Sequence, residues 1–290
     1  MRVAVDGSLP SSGVATAVPD CIVRASVPAP ESTLHPYLDH EAPIALAHRG
    51  GDLDGRENSM AAFADAVALG YRYLETDVQV TVDGVLVAFH DPRLDRVTDR
   101  SGAIAELPWA EVSRARIAGV DPIPRLDELF ASFPEVRWNL DVKADPVVAP
   151  LISRLERGGA LLERLCLGSF SDARLDAVRR AFGRSVCTSA GPAEVRRLRF
   201  ASLFGRGLDR LSLAADCLQI PLRHGRVPLV DPVLLAAARR RGLPVHVWTI
   251  NDAPTMETLL DRGVHGVVTD RTRLLREVLQ RRGLWRSATS

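Results

Sequence analysis

Tyr73-Leu-Glu-Thr-Asp-Val78 and Val85-Leu-Val-Ala-Phe-His90 are two apolar β-type runs separated by only six residues, among them Asp83-Gly84. A parallel crossover needs a dozen or more residues, whereas Asp-Gly between apolar runs signals a tight antiparallel turn. The second run is therefore predicted to fold back on the first as a hairpin. It opens an insertion reaching to about Asp121. This reading decides the fold, because it removes one strand from a count of nine.

The other runs are Ile44–His48, Val136–Val142, Leu165–Phe170, Val186–Ala190, Cys217–Ile220, Val245–Ile250 and Gly266–Thr269. Amphipathic helical patterns separate them, including Ser59–Leu69, Asp172–Phe182, Pro232–Arg241, Pro254–Arg262 and Thr272–Gln280. Several begin after Ser59, Asp231 or Asp252 and end near Gly70, Gly183, Gly242 or Gly263, the expected caps. Strand–helix alternation predicts a parallel sheet, and eight parallel strands predict a (β/α)8 TIM barrel with a hairpin-containing insertion (about 84–121) after the second strand. An open doubly wound sheet is the alternative; no GxGxxG follows the first strand to favour it.

The barrel domain is predicted over 43–290, close to the ~250 residues usual for this fold. Residues 1–42, broken by Pro28, Pro30 and Pro36, read as a tail that is partly disordered or packs back near Tyr37-Leu38. Hydrophobic residues make up 46% and charged residues 25%, the balance of a globular protein. A net charge of +1 gives no long-range attraction to nucleic acid or anionic lipid as a main partner. The expected partner is a small molecule. No membrane span and no secretion signal are visible, and a cytoplasmic location is the expectation. Cys21, Cys166, Cys187 and Cys217 lack metal-binding spacing and read as small buried hydrophobes.

In a barrel, the C-terminal ends of the strands face the active site. Those ends carry His48-Arg49-Gly50, Glu75-Thr76-Asp77, Asp141-Val142-Lys143, Ser169-Phe170, Gln219, Trp248-Thr249-Ile250-Asn251 and Thr269-Asp270, and the hairpin ends in His90-Asp91. Glu75 and Asp77 lie two apart on a strand and so share a face. With Asp141 they suit a hard divalent cation better than zinc; solvated acids paired with arginines are the plainer reading of the same pattern. His48 and His90 are candidate proton carriers for a reaction needing one acid and one base. Lys143 is the only lysine among 37 basic residues, and it shares a face with Asp141 and Asn139. A compact ammonium at that point differs from a guanidinium fork.

These residues, in the order Ala47-His48-Arg49-Gly50-Gly51, Glu57-Asn58-Ser59, Glu75-Thr76-Asp77, His90-Asp91, Asn139–Lys143, Trp248–Asn251 and Thr269-Asp270, resemble the glycerophosphodiester phosphodiesterase signature. The resemblance runs from about Ile44 to Thr272. It implies hydrolysis of glycerophosphodiesters to sn-glycerol 3-phosphate and an alcohol, dependent on Mg²⁺ or Ca²⁺. By similarity His48 and His90 are the acid/base pair. Glu75, Asp77 and Asp141 fill metal positions, with Glu57 in or near that set. Arg49 and Lys143 hold the phosphate, and Gln219 and Trp248 are candidates for the substrate pocket. Ser59 replaces the usual threonine and keeps the hydroxyl. Asp141 stands where the family usually has glutamate, one methylene shorter, which leaves direct ligation and ligation through a water both open. Rival readings are a lysophospholipase D on the same barrel, with an apolar mouth near Trp109, and a catalytically silent binding module. An amidohydrolase-type barrel is disfavoured because His48-Arg49 replaces the HxH pair that fold carries.

Overall fold

The computed structural model describes residues 34–40, 43–204 and 207–286 of the 290. All nine strands expected from the sequence are present, with ends that differ by a residue or two: β1 Ile44–Ala47, β2 Tyr73–Val80, β3 Leu86–Ala88, β4 Arg137–Val142, β5 Leu165–Gly168, β6 Cys187–Thr188, β7 Leu218–Pro221, β8 Val245–Trp248 and β9 Gly266–Thr269.

Eight of them form one parallel sheet, in the order β6-β5-β4-β2-β1-β9-β8-β7. A parallel bridge between Ser189 and Cys217 joins the two edges and closes the barrel. The remaining strand, β3, pairs antiparallel with β2 through Val78↔Ala88, Gln79↔Val87 and Val80↔Leu86. The hairpin reading thus holds, and Gly84 takes the positive φ (83°) that the turn requires.

Helices α1 Met60–Ala68, α2 Leu126–Ser132, α3 Asp145–Leu155, α4 Asp172–Phe182, α5 Pro192–Phe204, α6 Pro232–Arg240, α7 Ala253–Asp261 and α8 Thr272–Arg281 follow the strands. The Ser59, Asp231 and Asp252 side chains each accept from a backbone N–H in the first turn of their helix, as capping residues do. Outward-facing strand residues such as Leu74, Trp138, Leu140 and Leu167 pack against the helices on one side of the barrel. Leu218, Val245 and Val247 do so on the other.

Residues 1–33 and 41–42 of the N-terminal tail lie outside the described residues. Pro36–Leu38, however, form a 3-10 turn whose Tyr37 and Leu38 are buried with Ile44, Leu46, Tyr73 and Val268 of β1, β2 and β9. Arg137 secures this turn by donating to the carbonyls of Pro36, Tyr37 and Asp39. The insertion has its own small core of Val87, Phe89, Leu94, Ile104, Val112 and Ile117.

Candidate active site

Strand register assembles the acids. β2 and β4 are parallel with Glu75↔Asn139 and Asp77↔Asp141 as partners, so the carboxylates of Asp77 and Asp141 stand side by side on the inner face. Lys143, two residues beyond Asp141, lies between them: its Nζ is 2.9 Å from Asp77 Oδ1 and 2.6 Å from Asp141 Oδ2. Arg49 approaches from the β1 end, its Nε 3.0 Å from Asp77 Oδ2 and its Nη1 3.0 Å from Glu57 Oε1.

The β1–α1 connection is held in an unusual conformation to achieve this. Arg49 and Asn58 both take left-handed φ values (52° and 58°), and the Asn58 N–H donates to the Arg49 carbonyl. Backbone of this kind in non-glycine residues costs energy and gathers at functional sites. Its return here is that the Arg49 N–H donates to Glu75 Oε2 at 3.0 Å. Asn58 also donates to Asp77 Oδ2 and accepts from Thr76.

Each histidine carries a carboxylate on Nδ1. His48 Nδ1 is 2.6 Å from Asp270 Oδ1, and its Nε2 faces Glu75 at 3.8 Å. His90 Nδ1 is 2.5 Å from Asp91 Oδ1. A carboxylate on Nδ1 fixes the ring and leaves Nε2 as the working nitrogen. Burial disfavours a charged His48, but Glu75 and Asp270 outweigh it, and the net effect raises its proton affinity.

The acids are perturbed in opposite directions. Burial, reinforced by Asp77, pushes Glu75 up to about 7. Burial would raise Asp77 too, yet Lys143 and Arg49 prevail and hold it below the usual carboxylate range. Burial raises Asp141 in spite of Lys143. One carboxylate within a few ångströms of two others ionises reluctantly unless cations intervene.

A family model described as the glycerophosphoryl diester phosphodiesterase family matches residues 48–274, spanning both histidines, all three acids and Asp270. The chain belongs to this family. It is 39% identical over 259 residues to the "Probable glycerophosphodiester phosphodiesterase 2" of Mycobacterium tuberculosis, a match covering 87% of this chain and 96% of the relative. A lysophospholipase D of Rattus norvegicus is 27% identical, with 81% and 85% covered. The fold matches that of an Oleispira antarctica phosphodiesterase solved with the product sn-glycerol-3-phosphate (TM-score 0.68, 23% identity, 82% and 97% covered).

In this glycerophosphodiester phosphodiesterase the donors on the inner face suit a hard divalent cation. Asp141 Oδ1 is buried with no hydrogen-bond partner, and Glu75 is an acid that only a nearby cation would keep ionised below neutrality. Positive charge between Asp77 and Asp141 is supplied by Lys143 in this structure. The two oxygens of Glu57 are taken by Arg49 and Arg96. Gln219 donates to Asn139 Oδ1 at 2.9 Å and lies deeper in the barrel, beside Cys166 and His246. Trp248 packs edge-on against Phe170, whose ring is 66% exposed and 5.9 Å from Lys143 Nζ.

Three residues of the site have roles that the sequence does not display. Asp270 and Asp91 were visible at strand and hairpin ends, but their bonds to the histidines were not. Arg96, which bridges Asp91 and Glu57, sits inside the insertion where no periodicity marks it. Trp109 is partly buried against the insertion core with Arg125 over its ring, and Phe170 is an exposed aromatic beside Lys143.

Proposed function

We propose that this phosphodiesterase releases sn-glycerol 3-phosphate and an alcohol from glycerophosphodiesters, using His48 and His90 as the acid/base pair and Mg²⁺ or Ca²⁺ as cofactor. The observation carrying this reading is the pair of histidines, each fixed through Nδ1 by its own carboxylate, on separate elements beside one acid cluster. His90 is close enough for its charge to act on both Asp77 and Asp141.

Glu75, Asp77 and Asp141 would hold the cation, which when bound supplies a Lewis acid for a phosphoryl oxygen. Arg49 and Lys143 bind the diester, and their donors are aimed at charge that grows on its oxygens. One histidine takes the proton of the nucleophile, water or the neighbouring glycerol hydroxyl, while the other protonates the departing oxygen. Arg96 and Gln79 keep the His90 loop in place, the first through Asp91 and the second by donating to the His90 carbonyl at 3.1 Å. Exposed Phe170, packed on Trp248, favours a second substrate class, lysophospholipids, whose apolar chain it could contact.

Glycerophosphocholine, glycerophosphoethanolamine and lysophosphatidylcholine, offered to the wild type and to His48→Ala and His90→Ala, test the assignment. Each variant is expected to lose ~10²-fold or more in kcat while keeping its melting temperature. A His90→Ala enzyme with near-normal kcat would place the second proton carrier elsewhere.

A further inference from the structure

Beneath the acid cluster, the inner face of the barrel changes character. Cys166 on β5, Cys187 on β6 and Cys217 just before β7 are fully buried, and one sulfur from each lies within 4.8 Å of the others. Among the described residues, this is the one trio of His, Cys, Asp or Glu that meets so closely. Cys166 and Cys187 are register partners on adjacent strands, and the Sγ atoms of Cys166 and Cys217 are 3.9 Å apart.

Two further polar atoms in this interior have no partner: the Tyr37 hydroxyl and His246 Nε2, both on side chains with no solvent exposure. His246 is reached from the trio through Gln219, whose amide nitrogen is 3.8 Å from Cys166 Sγ and 3.5 Å from His246 Nδ1. Barrel interiors are ordinarily filled by branched apolar residues. Here three thiols converge in that layer instead, with unpartnered polar atoms close by, an arrangement native interiors avoid.

We propose that Cys166, Cys187 and Cys217 form a thiolate site for one zinc-type cation in the closed half of the barrel. Tetrahedral Zn–S bonds of about 2.3 Å place sulfurs about 3.8 Å apart, close to the separation of Cys166 and Cys217. A disulfide would need about 2.05 Å and would strand the third thiol. Binding deprotonates the thiols, releasing up to three protons to solvent with no change in oxidation state.

The location gives such an ion a task. The sheet closes between β6 and β7 through the single Ser189↔Cys217 bridge, and the ion would tie Cys187 to Cys217 across that seam. It would enter during folding, since none of the three sulfurs reaches solvent. That separates it from a cation at the open mouth, and the proposal does not depend on the catalytic reading.

The test is full-length protein produced with zinc or cobalt, dialysed against EDTA, and assayed for metal content and thiolate-to-cobalt absorption. About one zinc per chain should survive dialysis, and the cobalt form should show the charge-transfer band. Cys187→Ser and Cys217→Ala should lose both signals while retaining phosphodiesterase turnover within about twofold. Should the variants fail to fold, the wild-type cobalt spectrum alone decides. Wild type that retains no zinc, shows no such band and titrates four free thiols on denaturation overturns the proposal. So does a count of two free thiols without reductant, which would mean a disulfide.

Discussion

Lys143 contacts both Asp77 and Asp141, and it is the only lysine in a chain whose other basic residues are all arginine. An ammonium fits between two carboxylates set side by side on adjacent strands; a planar guanidinium spreads its charge over a wider fork. Lys143→Arg is therefore expected to lower kcat/KM at least ~10-fold, about 1.4 kcal/mol of transition-state stabilisation, with little change in melting temperature. Steady-state kinetics on a glycerophosphodiester checks this, and a fully active variant would make the lone lysine an accident of composition. The placement of Lys143 was legible beforehand because strand alternation alone puts residues 139, 141 and 143 on one face. The Asp270–His48 bond was not legible. It joins residues 222 positions apart, and only the pairing of β1 with β9 brings them together.

The connection from β1 to α1 is the element that sets the site's geometry. Gly50 has φ +83°, and a Cβ there would lie 2.9 Å from the backbone of Ala62 and Phe63 in α1. Neither the conformation nor the space admits a side chain. Gly50→Ala is expected to cost on the order of 2 kcal/mol, lowering the melting temperature by several degrees, and to reduce kcat as well by displacing His48 and Arg49. Thermal denaturation and kinetics on the same sample read both; an unchanged melting temperature would mean the loop yields without cost. The neighbouring hairpin was readable because Asp-Gly turn chemistry is local. Arg96 was not, because the insertion that holds it has short turns and a small core of its own in place of a repeating pattern. Likewise the cysteines come from three successive strand–helix units, so no spacing along the chain announces that they meet.

For the whole molecule, the acid cluster couples stability to pH, and a cation bound there would join that coupling. Glu75 is raised from 4.5 to about 7, so between those values the folded protein binds more protons at this site than the unfolded chain. Stability contributed here is thus present at low pH and is lost as pH rises towards 7. A divalent cation bound at Glu75 would reverse the sense, since it would favour the ionised carboxylate. Cation binding near pH 6 should release close to one proton, and affinity should weaken as pH falls below 7. Calorimetry in buffers of different ionisation enthalpy measures that release, and Glu75→Gln should remove it; equal release from the variant would assign the proton elsewhere. The same cluster carries the claim on which the catalytic account depends, that a bound divalent cation and the two histidines act together. The most direct measurement is release of sn-glycerol 3-phosphate from glycerophosphocholine or glycerophosphoethanolamine by the purified protein, before and after EDTA and then with Mg²⁺ or Ca²⁺ restored. Activity that disappears with chelator and returns with either cation is the predicted result; full turnover in excess EDTA, by protein free of divalent metal, would contradict it.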